Sequence, residues 1–150
     1  MPVNRSYEDI VNHFQAACDT NLAVASFTTG PIDYLDSSAV NRYYPFVFLR
    51  PMSSLGVQGN TKTLSFELYS LDIPKLSDGN ALKVMSNTEE ILYTIASYFT
   101  LGPDQKYYDL IINTITPVNE AFQDRVFGWV ADIDVVTPYT LNFCDYPTAP

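Results

Sequence analysis

At 150 residues, with 47% apolar and 14% aromatic side chains, the chain has the length of one compact domain that buries about two thirds of its unfolded surface. Lys and Arg number 8 against 17 Asp and Glu, and the resulting net charge of -9 excludes a phosphate-gripping surface built from clustered cations. No window reaches the roughly eighteen consecutive apolar residues of a membrane span, and Met1-Pro2-Val3-Asn4 begins no signal peptide, so the expectation is a soluble chain made in a cytoplasm, without a membrane partner.

In chain order, Ser6 precedes Tyr7-Glu8-Asp9 as a helix cap with two acids in the first turn, and Ile10, Val11, Phe14 and Cys18 form one stripe, which predicts a helix ending near Asp19 or Thr20. Leu22 to Phe27 reads as a short extended segment broken by Thr28-Thr29-Gly30-Pro31. Residues 32 to 42 carry turn formers and no period, which predicts a loop. Tyr44 to Leu49 is an aromatic-rich apolar run bracketed by Pro45 and Pro51, hence a strand. Leu64, Phe66 and Leu68 alternate with polar neighbours in a returning strand, so a hairpin spans about 44 to 72, with 53 to 63 as a protruding connection.

Ile73-Pro74 ends that strand, and Ser77-Asp78-Gly79-Asn80 offers several caps for the next element. Leu82, Met85, Glu89, Leu92, Ile95, Ala96 and Phe99 recur at three- and four-residue spacing, predicting the main helix over 80 to 100, stopped by Gly102-Pro103. A strand over 108 to 116 and a turn over 117 to 123 follow. Phe127, Trp129, Ala131, Ile133 and Val135 alternate with a second set of residues, so 125 to 137 is a long strand that ends where Pro138 removes a ladder donor. Behind it lies an unpatterned tail, a kind of segment that usually lies on something. The predicted fold class is α+β: a mainly antiparallel sheet of four to five strands with two helices packed on one face, a protruding hairpin and an extended C-terminal tail.

Residues suited to chemistry are few. His13 is the single histidine and reads as a solvated residue of the first helix. Asp132 and Asp134 project from one face of the last strand; a two-carboxylate or metal site is weighed there against two aspartates on a solvent face. The run from Gly56 to Thr63 lacks the glycine before the lysine of a phosphate loop. Gly128 weakens a strand unless a bulge, a bend or a close neighbour requires it, and Trp129 beside it is expected to pack beneath the main helix. Cys18 and Cys144 lie at opposite ends without metal-ligand spacing, so reduced thiols are expected. No catalytic residue, cofactor or metal is expected.

Charged residues, at 17%, fall below the usual quarter, while Tyr (11) and Phe (9) are abundant. Rings offer much contact area for little lost side-chain entropy, which suits a protein interface; a well-packed β-rich domain fits the same composition.

Five pieces stand in a recognisable order: Tyr44-Pro45 opening an apolar run that stops at Pro51, Phe66 to Asp72, Asn80 to Ser86 leading a long helix, Gly128-Trp129, and Cys144 with Pro147. In that order the chain resembles small virion proteins of tailed bacteriophages, of the tail-terminator or head-to-tail connector type, over roughly residues 5 to 147. The resemblance implies a non-enzymatic homo-oligomeric ring at the neck or tail end, touching other neck and tail proteins, with DNA only as passing cargo through its channel. Expected subunit contacts are Tyr44, Phe46, Leu55 and Val57 around the hairpin, and Tyr139, Leu141, Phe143 and Tyr146 in the tail. The alternative is a small accessory or chaperone domain acting as monomer or dimer.

Overall fold

The computed structural model describes residues 4–31, 43–74, 79–121 and 125–141. Among these lie α1 (Tyr7–Asp19), β1 (Ser26–Thr29), β2 (Phe46–Gln58), β3 (Thr61–Asp72), α2 (Ala81–Leu101), β4 (Asp109–Ala121) and β5 (Val126–Pro138). The strands form one sheet in the order β1-β2-β3-β5-β4. The architecture is α+β, as predicted, with one difference: β1 runs parallel to β2, so the sheet is mixed, while the other three pairings are antiparallel.

Ser6 caps α1 in both directions. Its hydroxyl accepts from the Asp9 N–H, and its own N–H donates to the Asp9 carboxylate. Those backbone and side-chain bonds from Ser6 hold the Asp9 carboxyl below its ordinary value. Ile10, Phe14, Ala17 and Cys18 of α1 and Val84, Ile91, Leu92, Ile95 and Phe99 of α2 are all buried. Most of them join Val47, Leu49, Phe66, Leu68, Ala131, Ile133 and Val135 from the sheet in the main core. Both helices therefore cover one sheet face. On α2 the stripe is rotated from the expected one: Leu82 is 84% exposed, while Val84 and Thr88 point inward. Thr88 is accommodated there because its hydroxyl donates to the Val84 carbonyl. Gly102 closes the helix as expected.

By strand alternation, Phe46, Phe48, Tyr69, Leu71 and Val126 belong to the opposite face, where they form a second, smaller buried cluster. Trp129 lies under α2, half-buried rather than fully enclosed, with its indole N–H donating to the Met85 carbonyl at 2.7 Å.

Four expectations about boundaries need correction. The extended segment after α1 begins later than Leu22, because Asn21 makes a turn: its side chain accepts from the Ala23 N–H and its carbonyl from the Val24 N–H. Leu22 is left in solvent, and Thr28-Thr29 joins the strand instead of ending it. Second, 53 to 63 is not a loose connection. The chain stays paired from Ser53↔Ser65 to Gln58↔Thr61 and turns in the two residues Gly59-Asn60. Register shifts at Pro51/Ser53 and Ser54/Gly56 carry the strand past Pro51 and Gly56.

Third, β4 runs on through Pro117, which sits opposite Trp129. An edge strand has one neighbour only, so a proline there can turn its missing N–H to the open side. Fourth, β5 begins at Val126 and includes Pro138 as its last residue. The loop predicted over 32 to 42, the caps Ser77 and Asp78, and residues 122 to 124 of the predicted turn lie outside the described residues.

Candidate interaction surface

β2 is longer than the strand that covers it. β1 pairs with Phe46 to Leu49 only, so among the described residues no strand lies along the outer side of Arg50 to Gln58. This open edge carries Met52 and Leu55, the latter 62% exposed. An open edge presents unpaired backbone donors and acceptors, and this one is interrupted by Pro51 and two register shifts, features that oppose indiscriminate strand pairing.

The helix-free face next to it is polar toward the hairpin and apolar toward the other end. Arg50 pairs with Glu67 at 2.7 Å, and Glu67 stands opposite Asp132 in register. Asp132 accepts from the Thr114 hydroxyl, and Asp134 from Ser65 and Asn113. The two aspartates do share a face, as expected, and each is held by hydrogen bonds to neighbouring strands. Among the described residues no three His, Cys, Asp or Glu side chains converge in a metal-holding group.

The expected contact residues differ in exposure. Leu55 and Leu141 are exposed, at 62% and 75%. Tyr44 and Val57 are half-buried, and Phe46, at 1% exposure, is a correction: it belongs to the second apolar cluster and cannot itself offer a contact surface. Alternation explains the burial, since Phe46 points away from Val47 into the cluster built by Phe48, Tyr69 and Leu71. Tyr139 already has partners within its own domain, donating its N–H to the Asn60 carbonyl at 2.8 Å and lying under the Lys62 ammonium at 4.7 Å. Phe143 and Tyr146 lie outside the described residues, as does Cys144.

His13 is the second correction. It is 8% exposed, stacked on Tyr108 at 4.4 Å, edge-on to Phe99 at 4.6 Å and tilted against Tyr98 at 4.9 Å. Burial pushes its pKa down, Arg5 adds to that, and Asp104 opposes it. His13, Arg5, Asp9, Asn12, Asp104 and Tyr108 line an open cleft of about 270 Å³. His13 Nε2 is covered and makes no hydrogen bond among the described residues, so the ring acts as an aromatic core residue. Cys18 is likewise inert: burial raises its thiol to about 12.

Sequence reasoning missed Asn4, Arg5 and Lys62, whose contacts join segments 57 to 136 residues apart. No local pattern announces such pairings. No protein-family model matches the chain, and a search of curated proteins returns no match.

Proposed function

We propose that this chain is a structural virion protein of a tailed bacteriophage, one subunit of a homo-oligomeric ring at the neck or tail end that joins head and tail or terminates the tail tube. The observation that carries the reading is the β2 edge, open among the described residues and bearing exposed Met52 and Leu55, in a chain whose ordered pieces resemble that class. A closed ring needs two different faces per subunit, and this reading assigns them to the part of β2 that extends beyond β1 and to the β4 edge. The acidic helix-free face suits a passage through which DNA moves without sticking. Its neighbours in this reading are further copies of itself and other neck and tail proteins.

Light scattering and negative-stain microscopy on the purified chain test the reading. Rings that fall apart to monomers in a Met52→Asp/Leu55→Asp double variant of unchanged melting temperature are the expected result. A wild-type chain that stays monomeric at every concentration and in the presence of tail tubes overturns it, and favours the accessory-domain alternative.

A further inference from the structure

The N-terminal arm, the β2–β3 turn and the start of the C-terminal tail meet at one point, and every contact there runs between segments distant in sequence. Asn4 and Thr140 bond reciprocally: the Asn4 amide donates to the Thr140 carbonyl at 2.9 Å, and the Thr140 N–H donates to the Asn4 side-chain oxygen at 2.8 Å. Lys62, one residue past the start of β3, donates to the Arg5 carbonyl at 2.5 Å while its ammonium sits over the Tyr139 ring. The Tyr139 N–H is taken by Asn60 in the hairpin turn. Arg5 in turn lays its guanidinium over Tyr107 at 4.3 Å, just before β4. Leu141, the next residue of the tail, is exposed.

From this arrangement we infer a clamp: Lys62 and the Asn4–Thr140 pair tie the N-terminal arm to the start of the tail, so that a partner that draws the tail away also frees Asn4, while Arg5 stays over Tyr107. The chemistry favours Lys62 as the shared element. Its ammonium meets one segment by a hydrogen bond and the other by a ring face, so one fixed charge orients both segments at once. Burial lowers the Lys62 pKa and Asp9 counters it, as expected for an ammonium drawn between two segments and partly dried. The device is independent of the ring reading, because it concerns contacts within one subunit.

Amide hydrogen exchange on the full chain tests it. In Lys62→Met, Thr140 has lost none of its own bonding partners, yet the clamp predicts that its N–H exchanges roughly tenfold faster, together with Tyr139, while Ile133 in the core keeps its wild-type rate. In Asn4→Ala the same acceleration at Tyr139 is expected, although that amide's acceptor is Asn60. Thr140 protection within about twofold of wild type in Lys62→Met overturns the clamp, and so does unchanged Tyr139 protection in Asn4→Ala. If Ile133 accelerates equally in Lys62→Met, global unfolding dominates that variant and the Asn4→Ala result decides.

Discussion

Replacing Gly128 by alanine tests the sheet at its least yielding point. Gly128 sits opposite Leu71 in the β3–β5 ladder, and a Cβ built on it falls 1.9 Å from the Ser70 carbonyl oxygen, 2.9 Å from the Ser70 carbonyl carbon and 3.0 Å from Leu71 Cα. All three atoms are backbone of a central strand, so no side chain can swing aside. Restoring an acceptable separation pushes β5 from β3 by more than an ångström, where the ladder spacing is about 4.8 Å. Roughly two adjacent ladder bonds are then lost or stretched, at about 0.5–1.5 kcal/mol each, and the packing of Leu71 and Val126 opens with them. The summed cost is about 3–5 kcal/mol, a large share of the 5–15 kcal/mol that a domain of this kind has in total. At about 2–4 °C per kcal/mol the melting temperature falls by roughly 6–20 °C. Serine and valine at 128 meet the same atoms and do no better. Urea and thermal denaturation followed by circular dichroism give the number; an alanine variant that loses less than about 1 kcal/mol refutes the close approach of the two strands.

Three other perturbations have definite signs. His13 is neutral in both states above about pH 6.5; as pH falls below that value the unfolded chain takes the proton first, because the folded pKa is depressed, and stability declines until the folded pKa is passed. Urea midpoints at pH 7.5 and 5 are therefore expected to fall further in the wild type than in His13→Gln, and an identical drop in both contradicts the burial assignment. Trp129→Ala costs about 2–3 kcal/mol by chemical denaturation, less than the 3–5 kcal/mol of a fully enclosed aromatic, since the indole is half-buried and its N–H bond to Met85 contributes about 1 kcal/mol. Phe99→Ala removes a wholly buried ring that touches His13, Phe14 and Tyr108, at about 3–5 kcal/mol in the same assay, and a loss smaller than that of Trp129→Ala inverts the predicted order.

The local signals in this sequence were sufficient for whatever depends on near neighbours. Ser6 with Asp9 three residues on determines the start of α1, and the period-two run through Ala131, Ile133 and Val135 determines that β5 is a strand and which of its faces is buried. Gly128 near the start of that strand already implied a bulge, a bend or a close neighbour; the register against Ser70 and Leu71 identified a close neighbour. Pro117 and Pro51 misled as strand ends because a proline's tolerance depends on whether its strand lies at an edge, and strand order belongs to the whole sheet. His13 could be placed on α1 but not inside the core, since its enclosure requires Tyr98, Phe99 and Tyr108 to arrive from the far end of α2 and the turn beyond. Phe46 and the Lys62 contacts follow the same rule. Alternation says which residues share a face and leaves open which face is covered, and hydrogen bonds between segments 57 or more residues apart form only after the chain has closed those loops.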